Sequence, residues 1–368
     1  MDNVTDNVID AHFLNRAETL LNEKLFETEN LFRSSFSSLS EAFMENFREI
    51  CKEVTTLQEA GNFGEIAYIE YTLLRSNTIN KNYVAEIRIY GKEWFLCKGQ
   101  RVVGQFDVSY LFQNLDRLWM KLLEMRKQYI GKVSSLDVSE FIMDAAPKFY
   151  AYVISLCRFS ILDCTKQNYF KMLKKTPQFS INVGEYMAQT EPIYKENSEK
   201  DRLSLLKWFA DCHSYEYCFE DFSELDFSNE NFTNIDFRYS DLRKTILTNT
   251  SFLYANLIGT RFCGAELENA HFSYSILHEA DFSGANLRNS KFYYANANWG
   301  ANDKEKWKRV GFFKVSFRKA DLQNANFTGA NLIGADFTDA VVDGAKFDLN
   351  RKYELDLSPE QMNVVEFR

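Results

Sequence analysis

The 368-residue chain carries a formal net charge of −9 and 45% hydrophobic residues, enough for two domains that each bury a core. The acidic balance argues against direct nucleic-acid binding and against an anionic membrane surface, both of which select basic faces, and no apolar run reaches spanning length. Seven scattered cysteines, only four histidines and an N-terminus, MDNVTDNVIDAHF, without a basic-then-apolar leader point to a cytoplasmic chain with reduced thiols and few general bases.

Residues 8 to 60 predict helix, broken near SSFSSLSEAF, where Ser38 and Glu41 suit a capping box, and stopped at Gly61; the expected product is a helical pair. EIAYIEYTLLR, NYVAEIRIYG and KEWFLC read as three strands of an antiparallel meander, the last two joined through Gly91 and Lys92, with Glu86 and Arg88 on the wet face. Leu111, Leu115, Leu118, Leu122, Met125 and Tyr129, spaced by three and four, predict an amphipathic helix ending at Gly131. More helix is expected from about Val138 to Leu162, kinked at Pro147, and again near residues 198 to 211. Residues 1–200 are therefore expected to form an α+β domain, helices plus a small antiparallel sheet, with a junction at 201–215.

From Phe222 the periodicity changes. An apolar residue falls on every fifth position, as in Phe252, Leu257, Phe262, Leu267, Phe272, Leu277, Phe282 and Leu287, and the phase still holds at Phe317, Leu322, Phe327, Leu332, Phe337, Val342 and Phe347. Alanine often stands two residues earlier, as at Ala255, Ala265, Ala270, Ala280 and Ala285. A beat of five fits neither a helix nor a strand and belongs to a solenoid. With units such as ANLIG, ADFSG, ANLRN and ADLQN, the stretch resembles the pentapeptide-repeat proteins. The resemblance implies a right-handed, four-sided β-helix, a pentapeptide-repeat solenoid with four pentapeptides per coil, here over residues 216–350. It also implies one family role, since some members bind bacterial DNA gyrase or topoisomerase by imitating duplex DNA. An irregular insert at 298–316 interrupts the repeat; because Ala297 and Phe317 are twenty apart, the chain is expected to leave one face and return to the same face one coil later. Residues 351–368 are expected to cap the last coil, with Ser358 opening a short helix at Pro359.

If twenty residues make a coil, residues twenty apart stack, and the outward columns become readable. Tyr254, Tyr274 and Tyr294 share one, with Leu253, Tyr293 and Phe313 beside them; exposed, this is an apolar binding stripe, while self-stacking or docking against the N-terminal domain is equally open. Lys304, Trp307 and Arg309 in the insert are further binding candidates on a basic protrusion. Asn229, Asn249, Asn269 and Asn289 suit turn chemistry, and Asp221, Asp241, Asp281 and Asp321, interrupted by Arg261, form a carboxylate column able to imitate phosphates.

Catalytic signatures are thin: there is no glycine-rich phosphate loop, no paired Cys-x-x-Cys sets and no serine elbow. Cys212, His213 and Cys218 cluster at the junction without metal-site spacing, His271 and His278 fall at outward positions, and Glu65, Glu70 and Glu86 are candidates to converge on a pocket. No catalytic residue, metal ligand or cofactor is assigned. The composition and repeat together favour a non-enzymatic protein–protein interaction or scaffold protein, with a protein partner or a homodimer contact. Two alternatives stand beside it: a DNA-mimicking gyrase binder, and an N-terminal enzyme or small-molecule-binding domain delivered by the solenoid.

Overall fold

The computed structural model describes residues 10–94, 100–186, 190–198, 201–210, 217–298 and 312–368. The chain divides into two compact units, one within residues 1–193 and one comprising most of the chain from Tyr194 onward.

The first unit opens with helix α1, Ala11–Glu59, whose N-cap Asp10 accepts hydrogen bonds from the backbone of His12 and Phe13. The expected break at the serines does not occur. Phe13, Ala17, Leu21, Leu25, Phe32, Phe43, Phe47, Ile50, Val54 and Leu57 form one buried stripe from end to end. Ser34 and Ser38 turn their hydroxyls onto the carbonyls of Leu31 and Ser35 in the same helix instead of capping a new one. Ser160 of helix α4, Ser135–Cys164, donates to Ser40 at 2.8 Å, so packing against α4 settles a segment that is ambiguous in isolation. The two remaining helix expectations run to slightly different limits: α3 spans Ser109–Arg126, and α4 passes through Pro147 uninterrupted from a Ser134–Asp137 capping box. Short helices α2, Arg75–Ile79, and α5, Asn168–Lys171, complete the helical set.

The sheet is mixed, not an antiparallel meander. Its strands are β1 Ile66–Leu73, β2 Val84–Tyr90, β3 Arg101–Asp107, β4 Lys175–Glu185 and β5 Thr190–Asn197, in the order β3-β2-β1-β4-β5. β1 pairs antiparallel with β2 and parallel with β4. The third strand is not KEWFLC: residues 92–94 turn, with Trp94 at φ +50°, and the rest of that segment lies outside the described residues. β4 escaped the sequence reading because Pro177 and Gly184 break its pattern; Pro177 falls where the β1–β4 register shifts, at an irregularity that needs no donor from it. Ile69, Tyr71, Ile87, Ile89, Ile181 and Val183 make the buried face, and Tyr71 meets Phe43 of α1 at 5.5 Å between ring centroids.

The second unit begins with helix α6, Arg202–Ala210, and continues as stacked coils. Parallel backbone bridges join residues twenty apart, as in Asp241↔Arg261↔Asp281, and each central residue donates to the next coil, for instance Phe252 to the His271 carbonyl at 2.8 Å and Phe262 to that of Asp281 at 2.7 Å. The five-residue beat follows from this arrangement: one inward residue, then a turn closed by bonds such as Ala255 N–H to Phe252 C=O, whose third residue, here Tyr254, takes a positive φ. From Phe252 onward, phenylalanine and leucine occupy separate columns. Phe252, Phe272, Phe292, Phe327 and Phe347 stack at centroid distances of 4.6–5.1 Å, as do Phe262, Phe282, Phe317 and Phe337 at 4.9–5.2 Å. Leu257, Leu267, Leu277 and Leu287 lie between these columns and are fully buried.

The insert behaves differently from the expectation. Asp281 bridges to Ser316 and Asn296 to Asn331, a separation of 35 where other coils have 20, and Phe282 stacks directly on Phe317. The chain therefore leaves after the Ala297 column and rejoins at the next column, Phe317, so no coil is interrupted. An excess of fifteen residues preserves a beat of five while moving the chain on by three pentapeptides, so that residues twenty apart no longer share a column, which is why the sequence phase hid it.

Both ends of the stack are covered within this unit. Phe209 of α6 plugs the first coil, with its ring 5.2–5.6 Å from those of Phe222, Phe227, Phe232 and Phe237. At the other end, a 3-10 turn Leu349–Glu354 and helix α7, Pro359–Val364, lead to strand β7, Glu366–Phe367, which pairs in parallel with β6, Lys346–Phe347. Ser358 and Gln361 form a capping box, and the Gln361 amide donates to the carbonyls of Phe337 and Ala340. The Phe337, Ala340, Ala345 and Phe347 carbonyls of the last coil thereby find donors.

Candidate functional site

Tyr254, Tyr274 and Tyr294 occupy the left-handed turn position of three successive coils, at φ 57°, 59° and 55°. Their rings stack at 5.1 Å and 5.3 Å with interplanar angles of 22° and 15°. Asn is the usual resident of this position, and Asn229, Asn249, Asn269 and Asn289 hold equivalent places, where the Asn249 and Asn269 amides also donate to the coil below at 3.0 and 3.1 Å. A tyrosine there costs roughly 1–2 kcal/mol of backbone strain, which stacking and burial of half of each ring, about 2 kcal/mol at ~25 cal/mol per Å², offset. The ladder is self-supporting and still leaves its outer half in water: the three rings are 54%, 47% and 59% exposed. It ends where Tyr294 lies over Gly329; a Cβ there would come within 2.6 Å of the ring.

The flanks of the ladder are uncharged. Leu253, Ser273 and Tyr293 precede the three rings, and Asn256, Ile276 and Asn296 follow two positions later. Leu253 and Tyr293 are half-buried, and the Tyr293 hydroxyl accepts from Asn326 at 3.0 Å. Phe313 is not part of this stripe. Its backbone N–H, like that of Phe312, donates to Glu279 where the chain rejoins the stack, and the Tyr293 column continues instead to Thr328. Lys304, Trp307 and Arg309 lie outside the described residues.

Glu279 was missed by the sequence reading. It is buried at a left-handed turn position, φ +61°, and receives Phe312 N–H, Phe313 N–H at 3.2 Å and the Tyr239 hydroxyl at 3.2 Å, anchoring the re-entry.

The acidic column is not a bare row of charge. Asp241 is held by Arg243 at 2.7 and 2.8 Å, Asp236 by Arg238 at 2.9 Å, Asp281 by Arg261 at 3.4 Å and Asp321 by Arg288 at 2.7 Å. The column also departs from the expected register above Asp281, passing to Ser316 and Asp336, while Asp321 stacks on Asn286. Burial, with the charge of Asp241 beside it, raises the Asp221 carboxyl above its ordinary value. Burial pushes Asp281 the same way, but Arg261, Ser283 and Cys263 outweigh it and hold that carboxyl low. His271 is lowered by burial and by Lys291, and His278 places Nδ1 2.9 Å from the Asn298 carbonyl.

In the first unit the three glutamates do not converge. Glu65 is exposed, Glu86 pairs with Arg88, and Glu70 is buried, accepting from Trp94 Nε1 at 2.9 Å and from Asn182 at 3.4 Å. Arg88 also donates to Thr72 and lies 4.0 Å from the centre of the Tyr186 ring. A cavity lined by Leu73, Phe112, Ala146, Tyr150 and Glu185 holds about 10 Å³, room for no more than one water. Cys212 and His213 lie outside the described residues; Cys218 is buried, its thiol pushed up to about 12 by burial and by Asp236. Among the described residues no group of three or more His, Cys, Asp or Glu side chains is placed to hold a metal, and no helix is long and apolar enough to cross a membrane.

With this geometry in view, the C-terminal array is a pentapeptide-repeat β-helix: the family model Pentapeptide repeats matches eight copies, over residues 221–252, 231–269, 250–289, 265–299 and 312–348. Solved structures similar to this part of the chain include a pentapeptide repeat protein from the Arabidopsis thaliana thylakoid lumen, 28% identical over 33% of this chain and 79% of that one, TM-score 0.21. HetL, involved in heterocyst differentiation regulation in the cyanobacterium Nostoc, is 18% identical over 40% of this chain and 96% of its own, TM-score 0.16. QnrB1, a plasmid-mediated fluoroquinolone resistance protein, is 17% identical over 41% and 81%, TM-score 0.23. No curated protein matches the chain.

Proposed function

We propose that this is a non-enzymatic interaction protein whose pentapeptide array, a right-handed and four-sided β-helix, presents the Tyr254, Tyr274 and Tyr294 ladder to a protein partner in the cytoplasm. One observation carries the reading: three aligned aromatic rings stand half-exposed between uncharged neighbours, on an array whose other columns bear ion pairs. Such a strip costs little to desolvate. The five described cysteines all hold free thiols, which supports a reducing compartment. Imitation of duplex DNA toward gyrase is supported less well, because arginines neutralise the carboxylates that would stand in for phosphates. An enzymatic first unit is supported least, given its Glu70 and Arg88 already engaged with neighbours.

The test compares proteins captured by the full chain and by a triple variant, Tyr254→Asn, Tyr274→Asn and Tyr294→Asn, which suits the left-handed backbone and keeps the coil. Loss of a captured protein from the triple variant, with retention by an Asn229→Ala, Asn249→Ala control, is expected. Identical capture by all three would refute the reading.

A further inference from the structure

The ladder has a symmetry that points to what covers it. It contains three rungs, nearly equally spaced at 5.1 and 5.3 Å, with Tyr274 in the middle. Reversed end for end, such a ladder superposes on itself. On the dyad of a two-fold contact each residue meets its own copy, so a charge there opposes itself, and the chain's net charge of −9 favours an uncharged touching surface. The ladder and its immediate neighbours, Leu253, Ser273, Asn256, Ile276 and Asn296, meet that condition, whereas the next column bears His271 and Lys291 and the more distant Asp241, Arg261, Asp281 column is charged throughout.

We propose that the occupant of the ladder is a second copy of this chain, in an antiparallel two-fold contact. Tyr274 meets the partner's Tyr274 on the dyad, and Tyr254 meets the partner's Tyr294. The inference rests on the ladder being a docking surface and adds the identity of what docks. Half-exposed rings of ~200 Å² each, with Ile276 at 39% exposure, give a patch of roughly 400–500 Å² per copy. Two such patches approach the ~1,000 Å² at which specific interfaces begin, so the dimer is weak and concentration-dependent.

Charge reversal at the dyad tests it. The left-handed position accepts charged residues, since Lys244, Lys319 and Glu224 occupy it at φ 57°, 56° and 62°. Sedimentation velocity of the full chain over about 1–100 µM should show wild type passing from monomer to dimer. Tyr274→Lys and Tyr274→Glu should each associate at least tenfold more weakly, because each opposes its own charge, and an equimolar mixture should recover a dimer containing one of each. A wild type that stays monomeric throughout, or a lysine variant that dimerises as well as wild type, would overturn the second copy as occupant. The docking surface itself would survive that result if the triple asparagine variant still loses its captured protein, and fall with it if capture is unchanged. Circular dichroism melts within a few degrees of wild type confirm that each variant is folded.

Discussion

Phe209→Ala removes the plug from the first coil, and its consequence should be confined to that end. The ring is 6% exposed and meets Tyr217, Phe222, Phe227, Phe232 and Phe237 edge-on at 5.2–5.6 Å. Truncating a phenylalanine buried this way costs about 3–5 kcal/mol. In a stack where each coil touches only its neighbours, that loss first opens the terminal coil. The reporters are its inter-coil donors: Phe222 to the Asp241 carbonyl, Phe227 to Ile246, Phe232 to Ser251 and Phe237 to Asn256, at 2.7–2.9 Å. At 1.4 kcal/mol per tenfold, native-state hydrogen exchange should show their protection falling by about a hundredfold to a few thousandfold. The Leu322 and Phe327 amides, which bond to Val341 and Lys346, should change by less than about threefold. Equal loss at both ends, or an unchanged first coil, would refute the assignment of Phe209 as an end plug.

Phe272→Asp should unfold several coils, since an unpaired charge would replace a fully buried ring stacked on Phe252 and Phe292 at 5.0 and 4.8 Å, while Phe272→Leu, a residue native to the neighbouring columns, should cost only about 1–2 kcal/mol; thermal melts separate the two. Gly259→Ala should destabilise by about 1–3 kcal/mol, because its Cβ would come within 2.2 Å of the Tyr239 ring at φ +63°. Adding Tyr239→Ala should recover at least ~1 kcal/mol of that in a double-mutant cycle by denaturant titration. For Asp221, whose folded carboxyl sits above the ordinary value, the folded state holds the proton more tightly, so its contribution improves as pH falls through the raised value and is unfavourable above it. Asp221→Asn should therefore raise the melting midpoint at pH 7 and lose that advantage in acid. Asp281, held low, contributes fully above its unfolded value and loses this as pH falls through the folded one; Asp281→Asn should lower the midpoint at pH 7, with a gap that closes toward acid.

The array was legible because its physics is local and repeated: every fifth residue from Phe222 to Ala297, and again from Phe317 to Phe347, points inward, so the core could be read without knowing any long-range contact. What failed there was the step that depended on counting coils, since a fifteen-residue excess is invisible to a beat of five; Phe313 and Asp321 were misplaced for that reason alone. The first unit was less legible because its decisive contacts are distant in sequence. Ser38 can cap a helix or lie within one, and only α4 packed alongside decides. Strand β4 looks like a loop until β1 is beside it, with Pro177 taken up by the shifted register. Of the proposed surface, the tyrosines were visible as residues twenty apart, but their half-exposure and uncharged flanks follow from the left-handed turn, which spacing does not reveal.

The most direct test of the ladder as a docking surface places a photoreactive p-benzoylphenylalanine at position 274, and separately at position 249 in the asparagine column, within the full chain. Irradiation in cell extract should yield a discrete protein adduct from position 274 and none from position 249. No adduct from position 274, or the same adducts from both, would contradict the account.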